Sequence, residues 1–320
     1  MRGTAVLTGA TSGIGLSSAK ALAWLGFRVI GVGRNPERVR EAERQIRAAC
    51  REGDTPLSGD NIAADNQVLS PEPDVSFVTG DLSTTDGVRR IAAGIRDLLA
   101  QTGGTLDILV LAAGTVSTWH TTTAEAYELQ FAVNHLAPFL LTHELLPCLR
   151  AAESARVLVV SSRSHYHTRI RWEDVMMRRR YHCLAAYKQS KLCNVLFALE
   201  FARREQTQSR PIQMYAVDPG LVATEIGLKG TAGIERLVWR LRMRAGTHPE
   251  VPAQEIVRIA TEPAYEGQSG KYWFRAREKI PSRVARDPEQ AARLWRLSEQ
   301  LCGLTGEKTT QERDMSKNRL

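Results

Sequence analysis

Cysteine is scarce and badly placed for any structural use. The five residues, Cys50, Cys148, Cys183, Cys193 and Cys302, are odd in number and far apart. Such spacing excludes a disulfide scaffold and a metal-ligand cluster, and predicts reduced thiols in a cytosolic protein. A signal peptide is also missing, because no charged stretch and apolar core precede the first glycine corner. Long apolar runs are absent. The most apolar window, Leu129 to Leu149, contains Asn134, His135, Pro138, His143 and Glu144, which is too polar for a membrane span. We therefore expect a soluble, cytoplasmic protein. Neither an internal repeat nor a linker divides it, so one domain is expected over 1–304, followed by a polar, disordered tail at 305–320.

Acidic charge is in deficit. Lysine and arginine number 43 against 35 aspartates and glutamates, a formal +8. The excess is local. Arg163 to His182 holds six arginines against Glu173 and Asp174, and Ile234 to Arg244 holds four against Glu235. No recognition motif accompanies this charge, so no nucleic-acid partner is expected. In the second segment Ile234, Leu237, Val238 and Leu241 recur at helical spacing, with the arginines around them. An anionic substrate group and a weak peripheral contact with an anionic membrane account for this pattern equally well. The state of oligomerisation is left open.

What is abundant is alternation. Short runs rich in Val, Ile and Leu ("TAVLTG", "RVIGVG", "VSFVTGD", "DILVLAAG", "RVLVVSS", "IQMYAVDPG") alternate with helical patterns. These cover about Ile14–Leu25, from Pro36, Val88–Leu99, Ala124–Leu149 and Leu184–Arg204, and a late "GKYWF" is flanked by helices. Continuous apolar strands are buried on both faces. The fold class is thus α/β, a single-domain doubly wound (Rossmann) parallel sheet with helices on both faces. Residues 53–74, rich in Pro, Gly, Asp and Asn, read as a surface insertion.

In such a sheet ligands bind at the carboxyl ends of the strands. "TGATSGIG", Thr8 to Gly15, lies where the first strand meets the first helix. Gly9 would make the turn, Gly13 admit a pyrophosphate, and Gly15 allow close packing, with Ser12 and Ile14 at the helix start. A simple tight turn is the competing reading. At the end of the second strand an NAD site usually carries an acid. That acid is missing: Gly33 is followed by Arg34, whose guanidinium suits a 2′-phosphate. NADP(H) is the expected cofactor. Asp81, followed by Leu82, can take the adenine amino group or cap a helix. Tyr187 and Lys191 in "YKQSK" share one helix face. A nearby ammonium draws the phenol toward ionisation. Ser162 ends the fifth strand, where its hydroxyl can stabilise charge growing on a substrate oxygen.

These motifs resemble the short-chain dehydrogenase/reductase family, and in particular its retinol-dehydrogenase-like branch. The likeness spans roughly Thr4 to Leu304. It rests on Thr8–Gly15, on Tyr187 and Lys191, on Ser162, and on Asn134 in "VNHLAPFLLT"; "AYKQSKLCNVLF" and "GQSGKYWF" point to the branch. The resemblance implies that Tyr187 moves the proton, Lys191 lowers its pKa and holds the nicotinamide ribose, and Ser162 polarises the carbonyl. It further implies that Asn134 holds a relay water and that Thr224, after Pro219, Gly220 and Val222, binds the carboxamide. Residues 225–246 would be a substrate lid. Three positions depart from the pattern. The family's NNAG reads Leu111-Ala112-Ala113-Gly114, Ala137-Pro138 replaces Gly-His, and Asp218 stands where the branch often has His or Asn. The expected function is oxidoreduction of a small-molecule alcohol or carbonyl, bulky and lipophilic. A non-catalytic sensor or scaffold that binds NADP(H) is the alternative.

Overall fold

A computed structural model describes residues 2–51, 72–222 and 246–304. The elements run β1 (Thr4–Thr8), α1 (Gly13–Trp24), β2 (Arg28–Gly33), α2 (Pro36–Arg51), β3 (Val75–Thr79), α3 (Thr85–Ala100) and β4 (Ile108–Leu111). Then follow α4 (Leu129–Phe131), a π-helical turn (Ala132–Leu136), α5 (Ala137–Glu144), α6 (Leu146–Ala151), β5 (Arg156–Val160) and α7 (Cys183–Glu205). The chain continues through β6 (Gln213–Asp218), α8 (Glu250–Thr261), β7 (Lys271–Phe274), β8 (Arg277–Lys279) and α9 (Pro288–Leu301).

The strands form one eight-stranded sheet in the order β3-β2-β1-β4-β5-β6-β7-β8. All pairings are parallel except the antiparallel β7–β8 edge. Side chains alternate strictly between two cores, as a pleated strand requires. Val6, Leu109, Leu111, Val157 and Val159 face α3, α5, α7 and α9, whereas Leu7, Ile108, Val110, Leu158 and Val160 face the α1 and α8 side. Both sets are buried, which is why the sequence runs are unbroken.

The helix expected from Ala124 to Leu149 differs. It starts at Leu129, because Ala126 takes a left-handed φ of 61° and the Glu128 carboxylate caps the backbone N–H groups of Gln130 and Phe131. It then widens through the π turn and restarts twice, with Pro138 and Pro147 in the first turns of α5 and α6. The strand β8 was not readable from its exposed sequence Arg277-Glu278-Lys279. α9 closes the outer face of α5 and α7. Its Trp295 ring lies 5.0 Å from Phe139 and 6.0 Å from Phe197, with the Arg204 guanidinium 4.2 Å above it. Among the described residues no helix is long and apolar enough to cross a membrane. The segment 53–71 of the expected insertion and the whole tail 305–320 lie outside the described residues.

Candidate active site

The strand order reverses between β1 and β4, and the crevice at their carboxyl ends is where a ligand fits. The chain leaves β1 through Gly9, in the left-handed region at φ 69°. A Cβ there would lie 3.0 Å from the Ala113 backbone, so the corner rests directly on the end of β4. One at Gly15 would come within 2.4 Å of the Gly9 carbonyl oxygen. The helix and the corner therefore pack backbone against backbone.

The first turn of α1 is bare. Ser12, extended and exposed at the cap position, makes no side-chain cap bond, and the turn holds no acid. By contrast α3, α7 and α9 are capped by Thr84, His182 and Asp287. Backbone N–H groups at Gly13, Ile14 and Gly15, with the helix dipole behind them, form a cradle that fits a pyrophosphate.

The end of β2 excludes an acid sterically. A Cβ on Gly33 would stand 2.4 Å from Thr11 Cγ2 and 2.8 Å from Val39 Cγ2. Arg34 follows, exposed, while the Asn35 Oδ1 accepts the N–H groups of Glu37 and Arg38 at 2.9 and 3.0 Å and so caps α2. Asp81 is not the cap of α3, since Thr84 accepts Gly87 N–H at 3.1 Å. Instead it accepts Ser83 N–H at 3.0 Å in an exposed turn, with the half-buried Leu82 beside it. At the family's NNAG position the Thr8 hydroxyl supplies a tie. It accepts Ala113 N–H at 3.1 Å and reaches the Val110 carbonyl at 3.5 Å, joining β1 to β4 just before Gly114.

Asn134 sits in the π turn, a feature frequent at functional sites. It is fully buried. Its Oδ1 accepts Thr115 N–H at 2.7 Å, and its Nδ2 donates to the Thr115 carbonyl and to Ser190 Oγ, both at 3.0 Å. Both amide hydrogens are thus committed to protein, tying the segment after Gly114 to α7. The expected hold on a relay water cannot rest on them.

The junction of β5 and α7 carries the other three residues. Lys191 is 3% exposed, and its Nζ donates to the Val160 carbonyl at 2.9 Å. Burial pulls its pKa down to about 8, against the opposing pull of the Asp218 carboxylate. The same ammonium lies 5.8 Å from the ring centre of Tyr187, half-buried one turn earlier. Ser161 Oγ donates to the Lys191 carbonyl at 2.9 Å, which holds α7 against the strand end carrying Ser162. Ser162 Oγ accepts Ser164 N–H at 3.2 Å. That bond uses an oxygen lone pair and leaves the hydroxyl hydrogen to donate.

After β6, Gly220 has φ 73° and donates its N–H to Asp218 Oδ1 at 2.9 Å, and Val222 bridges Thr247. Thr224 and the lid from 225 to 245, including Ile234–Arg244, lie outside the described residues. Sequence reading missed the steric partner Thr11, the cap Glu128 and the buried His165. The roles of Thr11 and His165 depend on contacts distant in the chain, and the local cap at Glu128 lies within an apolar stretch that reads as continuous helix.

The family model described as short chain dehydrogenase matches residues 3–68 and 58–233. Human dehydrogenase/reductase SDR family member 13 is 36% identical over 310 residues, covering 94% of this chain and 73% of the relative. Human retinol dehydrogenase 12 is 34% identical over 302 residues, covering 94% and 87%. Among solved structures, an uncharacterized protein from Mycobacterium paratuberculosis is 28% identical with a TM-score of 0.70, covering 95% of this chain and 94% of that one. The NADPH-bound carbonyl reductase from chicken fatty liver, 18% identical with a TM-score of 0.61, covers 88% and 99% and shares the fold.

Proposed function

The chain belongs to the short-chain dehydrogenase/reductase family, and from that premise we propose an NADP(H)-dependent oxidoreductase that interconverts a bulky, lipophilic alcohol and its ketone or aldehyde. One observation carries this reading: Tyr187 and the buried Lys191 share a face of α7 that is tied to the strand end bearing Ser162.

The cofactor fits the residues present. The uncapped turn of α1 accepts its pyrophosphate, and Gly9, Gly13 and Gly15 leave the backbone bare for it. Arg34 grips a 2′-phosphate, and the crowding at Gly33 keeps out the carboxylate that a 2′-hydroxyl would need. Asp81 and Leu82 follow β3 and Ala113 and Gly114 follow β4, where they would hold adenine and ribose; Pro219, Gly220, Val222 and Thr224 would serve the nicotinamide end. The bound nicotinamide supplies a hydride in reduction and accepts one in oxidation.

The chain's own residues handle the proton. In reduction the Tyr187 hydroxyl donates its proton to the substrate oxygen as negative charge grows there; in oxidation the phenolate takes it back. The Lys191 ammonium favours phenolate and so brings the tyrosine toward the working pH. Ser162, its lone pair held by Ser164, directs its hydrogen at the same substrate oxygen. Asn134 keeps Thr115 and α7 in register beside them.

A lipophilic substrate is supported by Trp119 and Ile280, each 71% exposed. Trp119 follows the end of β4, and the Ile280 carbonyl is held by Tyr166, four residues beyond Ser162. Trp172 and Met177 are used in packing: the first lies under the Arg293 guanidinium at 4.2 Å, the second is buried. The names of the retinol dehydrogenase relatives agree with this class of substrate.

The test is Tyr187→Phe assayed with NADPH and a panel of lipophilic ketones and aldehydes. Turnover should fall by at least about a hundredfold, the lower bound for losing a general acid, while NADPH binding persists. Activity within tenfold of the parent would remove Tyr187 from its assigned role. No turnover by the parent protein on any carbonyl would favour the sensor alternative.

A further inference from the structure

Ser162 is held from beneath by a residue that neither binding nor proton transfer has yet used. His165, three residues on, is fully buried. Its Nε2 lies 3.2 Å from the backbone N–H of Ser282 and its Nδ1 lies 2.8 Å from the Ser162 carbonyl. Ser282 N–H can only donate, so Nε2 carries the lone pair. Burial lowers the ring's pKa and keeps it neutral, so the ring hydrogen sits on Nδ1 and donates to Ser162. The His165 backbone N–H donates to that same carbonyl at 3.1 Å. One carbonyl therefore accepts two bonds from one residue, and its peptide plane is fixed.

The ring itself is clamped. It packs against Tyr166 with centres 4.2 Å apart and meets Tyr272 edge-on at 4.7 Å. The Tyr272 hydroxyl is anchored on the buried Asp218 at 2.8 Å. Tyr166 also donates to the Ile280 carbonyl at 2.7 Å, so two adjacent residues grip the strap Ile280–Ser282.

We infer that His165 is a positioning residue for Ser162: its Nδ1–H sets the Ser162 peptide, and through it the aim of the Ser162 hydroxyl at the substrate oxygen. This rests on the proposed role of Ser162. The bond costs the hydroxyl nothing, because it is made at the backbone and leaves Oγ free to donate.

Two near-isosteric variants separate the aim from the fold. In His165→Asn the amide N–H reaches the Nδ1 position; in His165→Gln it reaches only the Nε2 position, and the bond to Ser162 is lost. With NADPH and the best-used carbonyl of the panel, His165→Gln should lower kcat by about 10- to 100-fold, the scale of a small misplacement at the reacting centre. NADPH affinity should stay within twofold, and His165→Asn should recover most of kcat. In a Ser162→Ala background the Gln substitution should change kcat by less than about threefold, since residues acting through one another are not additive. Equal losses in both backgrounds would overturn the positioning role and leave Ser162 in place. Parent-like kcat in Ser162→Ala alone would overturn the role of Ser162, and this inference with it.

Discussion

Replacing Gly33 by alanine adds one methyl group at the point where the cofactor's identity is read. That carbon would lie 2.4 Å from Thr11 Cγ2 and 2.8 Å from Val39 Cγ2, whereas carbons rest at about 3.5–4.0 Å. Both neighbours must retreat by about 1 Å, and Thr11 belongs to the glycine corner itself. Overpacking of this kind costs about 1–3 kcal/mol. For a chain of this size that corresponds to a fall in Tm of about 2–6 °C. Calorimetry and fluorescence titration with NADPH read the two consequences: a lower Tm, and weaker binding as Thr11 is displaced. Thr11→Ser, which deletes the crowded methyl, should restore at least half of the lost Tm in the Gly33→Ala background. It follows that Gly33→Asp alone should gain little NADH affinity, and that adding Thr11→Ser should gain more, with the 2.8 Å approach to Val39 Cγ2 still to be relieved. A Gly33→Ala protein melting within about 1 °C of the parent, with unchanged NADPH affinity, would refute the steric argument.

Arg34→Ala should weaken NADPH binding about tenfold, the loss of roughly 1.4 kcal/mol from one charge-assisted contact, and leave NADH unaffected; equal affinity of the parent for both cofactors would contradict this. Lys191 has its pKa pulled from 10.5 to about 8 by burial. Below about 8 folded and unfolded chains both carry the ammonium and the burial cost is fully felt; between about 8 and 10.5 only the unfolded chain keeps the proton, so this cost fades as pH rises. Urea titrations should therefore show Lys191→Met gaining on the parent by about 2–3 kcal/mol more at pH 7 than at pH 10, and a pH-independent difference would count against the buried ammonium. Arg275 and Ala276 both take left-handed φ, 53° and 51°, in the turn joining β7 to β8, where Asn-Gly is the usual pair. Ala276→Gly should raise the urea midpoint by relieving about 1 kcal/mol of strain, and a lower midpoint would show that the turn is not strained.

Much of this molecule was legible because its strands are buried on both faces. Val157 to Val160 supplies Val157 and Val159 to one core and Leu158 and Val160 to the other, so the run had to be continuously apolar. The glycine corner was legible for a related reason: three glycines where strand meets helix are costly unless backbone must approach backbone. Helical spacing put Tyr187 and Lys191 on one face, but the role assigned to them rested also on Ser162 at the end of the fifth strand and on the family resemblance. Part of what stayed hidden depends on distance along the chain. Nothing near Gly33 announces that Thr11 fills its missing side chain, and nothing near His165 points to Ser282, 117 positions later. The start of α4 was misplaced because Glu128, a carboxylate among apolar residues, gives no outward sign that it is folded inward to cap Gln130 and Phe131. The substrate stayed hidden for the opposite reason: the aromatics and methionines of 163–182 serve packing as readily as binding.

The clasp of α9 over α5 and α7 has a consequence for how the protein is made. His135 bonds Ser298 at 2.8 Å across 163 residues, and Trp295 completes the aromatic cluster around Phe139 and Phe197. Ribosomes deliver about 5–20 residues per second. Once His135 has been synthesised, Ser298 follows only after about 8–30 s. During that interval the flank of α5, and later that of α7, lacks its cover from α9. The nascent polypeptide thus carries a partly uncovered hydrophobic surface for about half of its translation, and exposed surface of that kind is prone to aggregate until α9 arrives.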